Sequence, residues 1–237
     1  MAKLAAVILA AGSGTRMGGA AKALLPYAGA GAGPAGGAAG QTFLARIAET
    51  ARAVGLADGV VVVGPPYGDA VAEHARALGL RVAVNGEPER GMASSIAIGF
   101  AAMIGSSGGG GGDGHGDAGA GADVDAAWLW PVDHPDVRAE SLARIAEALG
   151  ERLGEYDVAR PRFEGRGGHP PLIARALWPR LAACAELPGG ARAVLAGDGV
   201  RVIDVPLDDA GVVRDVDTRE DAERRRPPRP AAAGGGA

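Results

Sequence analysis

The stretch LAAVILAAGSGTRMGGAAKALLP, residues 4–26, determines the fold that the rest of the chain is expected to adopt. Its first part, residues 4–9, is a continuous apolar run that predicts a buried β-strand. The glycines of the loop that follows let the backbone turn tightly and approach a ligand, and its two cations favour an anion. These loop residues are Gly12, Gly14, Gly18, Arg16 and Lys22. The stretch therefore predicts a site for a triphosphate.

Two better-known phosphate-binding loops do not fit this stretch. A Walker loop needs Gly-Lys-Ser/Thr, whereas Lys22 lies between Ala21 and Ala23. A dinucleotide-binding fingerprint would require glycine at Met17 and has no need for a loop arginine and lysine. The alternative that stays open is a merely flexible connection between a strand and a helix.

Length and composition favour one α/β domain. The chain has 237 residues, of which 47% are hydrophobic and 22% are charged, enough to bury one substantial core. Many of the 41 glycines lie in tracts with too little side-chain mass to pack. We expect a single domain over residues 1–226, with disordered glycine-rich insertions at 28–40 and 105–125 and a disordered tail at 227–237.

Charge and cysteine content exclude several classes of protein. A formal net charge of −4 argues against a nucleic-acid surface, which needs clustered lysine and arginine. Cys184 is the only cysteine, so the chain has no intrachain disulfide and suits a reducing compartment. Because the sequence shows neither a signal segment nor a membrane-spanning run, we expect a cytoplasmic protein without a membrane partner.

Strand and helix patterns alternate along the first half of the chain. Apolar residues recur with helical spacing over residues 41–54 and 67–78, and continuous apolar runs mark strands at 60–63 and 81–84. This β-α-β-α-β order predicts a mostly parallel sheet with helices on both faces. In such sheets ligands bind at the carboxyl ends of the strands.

Carboxylates are expected at the same edge as the glycine loop. A buried strand within residues 126–137 ends in Asp133, and a divalent cation such as Mg²⁺ is the natural bridge between a carboxylate and a triphosphate. Near the end of the chain Asp215 and Asp217 alternate as they would at a strand end, and either could be a second ligand. The alternative for all three is capping or turn formation.

Two further segments follow predicted strands. Residues 85–100 bring Gly91, Ser94 and Ser95 to the start of a helix, where they could cap it or bind a base or phosphate. Residues 156–175 predict two extended pieces around a glycine turn, a form suited to receiving a second substrate.

Taken together, five motifs resemble the MobA-like NTP transferase family, most closely its molybdenum cofactor cytidylyltransferases. The motifs are LAAGSGTRMGGAAKALLP, NGEPERGMASSIAIG, PVDHPDV, RGGHPPL and DVDTREDAE. The resemblance covers most of the chain from Lys3 to about Arg224, excluding the glycine tracts. The resemblance implies a GT-A-like (Rossmann-like) three-layer fold and Mg²⁺ as cofactor. It also implies transfer of a nucleoside monophosphate, CMP from CTP, to a phosphorylated acceptor such as molybdopterin, with release of pyrophosphate.

The resemblance also implies roles for individual residues. Arg16 and Lys22 would be catalytic, and Asp133 with Asp217 or Asp215 would bind the metal. His169 would lie on the acceptor side, and a molybdoenzyme or chaperone could receive the product. The residues expected at the NTP are Leu9, Ala10, Ala11, Gly12, Ser13, Gly14, Lys22, Asn85, Gly91, Ser94, Ser95 and Asp133.

Three other functions remain open at this point. A sugar-phosphate nucleotidyltransferase would differ only in its acceptor, and an accessory protein could bind nucleotide or cofactor without turnover. A glycosyltransferase would share the fold and metal but would not need Arg16 and Lys22 on the first loop.

Overall fold

The computed structural model describes residues 2–12, 19–27, 41–105, 124–217 and 221. These residues form one mixed sheet of eight strands and six α-helices, with short 3-10 turns between them. The strands are β1 (Leu4–Leu9), β2 (Leu56–Val63), β3 (Arg81–Val84), β4 (Ala126–Pro131), β5 (Val158–Phe163), β6 (Arg166–Gly167), β7 (Leu172–Ala174) and β8 (Val202–Pro206). The helices are α1 (Phe43–Arg52), α2 (Gly68–Ala77), α3 (Met92–Gly105), α4 (Ala139–Gly150), α5 (Trp178–Ala182) and α6 (Gly190–Leu195).

The sheet is mostly parallel, with the order β3-β2-β1-β4-β7-β5-β6 and with β8 beside β5. β1 pairs in parallel with β2 and β4, and β2 pairs in parallel with β3. β7 lies antiparallel between β4 and β5, and β6 is the second antiparallel strand. The prediction of a mostly parallel α/β sheet is confirmed.

Helices cover both faces of the sheet, which gives three layers. The side chains of β1 alternate between the two cores: Leu4, Ala6 and Ile8 pack into one, and their neighbours pack into the other. The first core holds α1, α2 and α4, and the second holds α3, α5 and α6. Because β1 is buried on both faces, its sequence is apolar throughout.

Parallel pairing brings three strand ends to one edge. Leu9, the last residue of β1, lies opposite both Val62 and Pro131. Backbone hydrogen bonds continue the alignment beyond the strands, since Val132 N donates to Leu9 O at 3.1 Å and Asn85 N donates to Val63 O at 2.7 Å. The segments that follow β3, β2, β1 and β4 therefore begin in that order along the same edge of the sheet.

Several expected boundaries differ from the structure. Asp215 and Asp217 do not lie at a strand end, because residues 214–217 have no regular secondary structure, and so that prediction was wrong. Three residues of the insertion expected at 105–125 are part of the folded chain: Gly105 ends α3, Val124 is 2% exposed, and Asp125 binds the backbone of Lys3. Residues 106–123 lie outside the described residues. The insertion at 28–40 and the tail at 227–237 lie outside the described residues.

The described residues contain no helix long and apolar enough to cross a bilayer. Cys184 is buried in a 3-10 turn after α5, and burial raises the pKa of its thiol.

We expect Gly99→Ala to lower the free energy of unfolding by about 1–3 kcal/mol, a cost typical of overpacking a core. A Cβ at Gly99 would lie 2.3 Å from Val7 Cγ1 and 3.0 Å from Val62 Cγ2, between α3 and the two central strands. Urea unfolding measures this change. Gly105→Ala in the same helix is the matched control, because its Cβ would have no neighbour within 4 Å among the described atoms; an equal loss in both variants would contradict the prediction.

Candidate active site

A cavity of about 370 Å³ opens at the carboxyl edge of the sheet. One wall is the backbone that follows β1. A second is the loop before α3 together with the first turn of that helix, and a third is the segment after β4. The lining residues are Leu9, Ala10, Ala11, Gly12, Lys22, Pro88, Gly91, Met92, Ser95, Pro131, Val132, Asp133 and Asp217.

A lysine and two aspartates meet at this cavity. Lys22 Nζ donates to Asp217 Oδ1 at 2.6 Å and lies 3.5 Å from Asp133 Oδ2. The three side chains are 20%, 37% and 24% exposed, so their charges interact with less screening than at an open surface. One ammonium thus lies between two carboxylates.

Backbone contacts fix the two carboxylates relative to each other. Asp133 lies two residues after the end of β4, and its carbonyl oxygen accepts a hydrogen bond from Val216 N at 2.9 Å. Val216 is fully buried, which anchors the segment and presents Asp217 to Lys22. Asp215, on the other side of Val216, is exposed and does not line the cavity. Of the two expected second ligands, the structure brings only Asp217 to Asp133.

The residues fit a hard divalent cation. Asp133 Oδ1 is buried and has no hydrogen-bond partner among the described residues. A strong acceptor is therefore available for a cation beside the ammonium of Lys22. The described residues contain no cluster of three or more histidine, cysteine or acidic side chains arranged as a complete metal site. Mg²⁺ is commonly held by one or two carboxylates, with substrate phosphates and water completing its shell.

The start of α3 carries a buried hydrogen-bond network. Asn85, which is 2% exposed, donates from Nδ2 to the hydroxyls of Ser94 and Ser95, each at 2.9 Å. Gly91 precedes the helix with φ +97°, a conformation that favours glycine. Gly91 and Ser95 line the cavity, but Asn85 and Ser94, also expected at the NTP, lie behind that wall.

Two histidines pack together beside Asp133. The rings of His134 and His169 lie 5.0 Å apart between centroids, and His134 Nε2 lies 3.8 Å from Asp133 Oδ1. Burial lowers the pKa of His169 from 6.5 to about 4, with a smaller lowering from His134 and an opposing effect from Asp133. His169 is therefore neutral near pH 7. It does not line the cavity, but it lies on the Asp133 side of it.

The structure thus brings together most of the predicted site. Ser13, Gly14 and Arg16 lie outside the described residues, so the roles expected for them stay predictions. Four lining residues were missed by sequence reasoning: Pro88, Met92, Pro131 and Val132. Their positions could have indicated them: Pro88 and Met92 lie between β3 and the first turn of α3, and Pro131 and Val132 lie at the end of β4 and just after it, where both strands end at the ligand edge.

The α/β sheet, with the backbone after β1 and two carboxylates at its carboxyl edge, has a nucleotidyltransferase-like fold. The chain belongs to the family described by the MobA-like NTP transferase domain, whose model matches residues 6–202. No curated protein sequence matches it.

Solved structures share the fold over nearly the whole chain. Rv0371c from Mycobacterium tuberculosis H37Rv is 24% identical, with 94% of this chain and 97% of that chain covered and a TM-score of 0.64. A manganese complex of Rv0371C has 22% identity, coverages of 94% and 97% and a TM-score of 0.58.

Two other proteins show the same similarity of fold. A CMP:2-keto-3-deoxy-manno-octonic acid synthetase complexed with CTP has 15% identity, coverages of 94% and 96% and a TM-score of 0.61. Molybdopterin-guanine dinucleotide biosynthesis protein A from Archaeoglobus fulgidus has 14% identity, coverages of 94% and 96% and a TM-score of 0.55.

We expect Asp217→Asn to weaken Mn²⁺ binding by about tenfold or more, because it removes one of two carboxylates at the candidate cation site. Electron paramagnetic resonance of free Mn²⁺ measures the dissociation constant. Asp215→Asn is the matched control, two residues away with the same loss of charge, and should change the constant by less than about twofold. Equal weakening in both variants would show a general charge effect and contradict the assignment.

The free energy of unfolding should decrease as the pH is lowered, and part of this decrease should depend on His169. The folded protein keeps this imidazole neutral down to about pH 4, whereas the unfolded chain protonates it below 6.5, so the unfolded state binds more protons between these values. As the pH falls from 6.5 to 4, the free energy of unfolding of the wild type should therefore decrease relative to that of His169→Gln. The decrease should be at most about 1.4 kcal/mol per pH unit. Urea unfolding across this range provides the comparison; a difference independent of pH would contradict it.

Proposed function

We propose that this protein is a Mg²⁺-dependent cytidylyltransferase that transfers CMP from CTP to a phosphorylated small molecule, with molybdopterin as the leading acceptor. The observation that carries the proposal is the convergence of Lys22, Asp133 and Asp217 at a cavity walled by the first loop. Cytosolic location and delivery of the product to a molybdoenzyme or its chaperone are parts of the same proposal.

The charges at the cavity suit a triphosphate that binds together with a metal. Two carboxylates alone would repel a nucleotide, and Lys22 neutralises only one of their charges. Mg²⁺, when bound by Asp133 and Asp217, would neutralise phosphate charge and help to hold the triphosphate in place. The backbone of residues 9–12 lies at the same wall. Ala10 N donates to Val62 O at 2.9 Å, so the N–H groups of Ala11 and Gly12 are the ones available to phosphate oxygens.

The reaction asks the protein for alignment and charge stabilisation. An acceptor phosphate oxygen attacks the α-phosphorus, a new P–O bond forms, and the bond to the β-phosphate oxygen breaks as pyrophosphate leaves. The attacking oxygen is already ionised near pH 7, so no side chain has to remove a proton. Lys22 would stabilise the charge that develops on the transferred phosphoryl group, and Arg16 is expected to do the same.

His169 is proposed to contact the acceptor. Its imidazole lies next to His134 on the Asp133 side of the cavity, and His169 Nδ1 is buried without a hydrogen-bond partner among the described residues. Since its low pKa keeps the ring neutral, it would bind a polar group of the acceptor by a hydrogen bond rather than by charge.

Two features support molybdopterin and CTP. The family model is MobA-like, and one protein of the same fold is named for molybdopterin-guanine dinucleotide biosynthesis. Another, the CMP:2-keto-3-deoxy-manno-octonic acid synthetase, was solved with CTP, which keeps sugar compounds among the acceptors to be tested.

Pyrophosphate release with each of the four NTPs, Mg²⁺ and either molybdopterin or sugar phosphates tests the proposal. We expect turnover with CTP and molybdopterin. Lys22→Ala should lower kcat by about 100-fold while changing the dissociation constant of CTP much less, because the proposed contact strengthens in the transition state.

Lys3→Ala is the control for this variant, since Lys3 lies at the opposite end of β1. It should leave turnover within about twofold of wild type. Activity only with sugar phosphates would reassign the acceptor, and tight CTP binding without turnover on any acceptor would favour a non-catalytic binding protein. A Lys22→Ala variant that weakens CTP binding as much as it lowers kcat would remove the proposed transition-state role.

A further inference from the structure

The amide of Asn85 has a fixed orientation. Its Oδ1 accepts a hydrogen bond from Glu87 N at 3.0 Å, and because a backbone N–H can only donate, the oxygen must face that side. The NH₂ group therefore faces the two hydroxyls, and donates one proton to Ser94 Oγ and the other to Ser95 Oγ, each at 2.9 Å. The side chain is 2% exposed, so these bonds do not compete with bulk water.

The two serines that share this amide differ in what their own protons do. Ser94 Oγ donates to Gly91 O at 2.8 Å, so its single proton is already used behind the cavity wall. Ser95 Oγ accepts from Asn85, and its proton has no acceptor within the described part of the chain. Ser95 lines the cavity, which leaves a bound ligand as the partner for that proton.

We propose that Asn85 is a positioning residue for nucleobase selection: it makes Ser95 a hydrogen-bond donor towards the cavity. This inference rests on the proposed function of the cavity as an NTP site. A donor at the wall favours a base whose Watson–Crick edge has an unprotonated ring nitrogen, as cytosine has at N3. It disfavours uracil, which has N3–H, and guanine, which has N1–H, because two donors then face each other.

Asn85→Asp reverses the direction of this bond with a change of only one atom. A carboxylate at this position still accepts from Glu87 N, but it can only accept from the serines, so the Ser95 proton turns away from the cavity. Ser95 then offers a lone pair to the ligand and matches the N3–H of uracil. We expect the ratio of CTP to UTP affinity to fall by about tenfold or more.

Isothermal titration of CTP and UTP with Mg²⁺ and without acceptor measures this ratio. Ser94→Ala is the matched control: Ser94 uses the same amide but does not line the cavity, and its proton is used by Gly91 O, so the ratio for this variant should stay within about twofold of wild type. Ser95→Ala should lower the preference for CTP. If Asn85 acts through Ser95, adding Asn85→Asp to Ser95→Ala should change the ratio no further.

A second measurement does not depend on the fold of the Asp variant. The 3-deaza analogue of CTP replaces ring N3 with C–H and should bind wild type about tenfold more weakly than CTP, whereas Ser95→Ala should bind both nucleotides alike.

Three results would overturn the inference. The first is equal binding of CTP and its 3-deaza analogue by wild type. The second is an unchanged ratio of CTP to UTP affinity in folded Asn85→Asp. The third is that Asn85→Asp shifts this ratio as much in the Ser95→Ala variant as in wild type. A wild type that binds no NTP would instead overturn the proposed function, so the two failures are distinguishable.

Discussion

Parallel pairing of β1 with β2 and β4 is the constraint on which the rest of the structure depends. β1 is buried on both faces, and its last residue lies opposite Val62 and Pro131, so three strands end at the same level. The backbone at the start of the first loop and the carboxylate of Asp133 therefore lie at one edge of the sheet as a result of strand pairing. A shift of register by one residue would exchange the two faces of β1 and separate these groups.

The edge gains its chemistry from segments that are not strands. Lys22 lies in a 3-10 turn after the first loop, and Asp217 lies in an irregular segment held by Val216. Each of these two side chains has a group of opposite charge at close range in a partly exposed setting. The apolar sheet provides the position, and the irregular segments provide the ionic groups.

Much of this organisation could be predicted from the sequence, and the exceptions have a common cause. Strand β1 and strand β3 were predicted at their observed bounds, and Asp133 at the end of β4, because short apolar runs report burial directly. The Asp-Val-Asp alternation at 215–217 was misleading: Val216 is buried but pairs with no strand in the described part of the chain, so the period of two does not come from a sheet there. The Asn85 network and the contact between His134 and His169 depend on residues brought together by the fold, which no local pattern records.

The bond between Lys22 and Asp217 joins residues separated by 195 positions. Closing so long a loop carries a large entropic cost, which is recovered only when the intervening sheet has formed. The walls of the cavity that come from β1 and α3 use the first half of the chain, whereas the second carboxylate arrives with nearly its last described residue. During synthesis on the ribosome, these walls of the cavity can therefore form well before Asp217 joins Lys22 and Asp133. The complete group of charged side chains is assembled only at the end of folding.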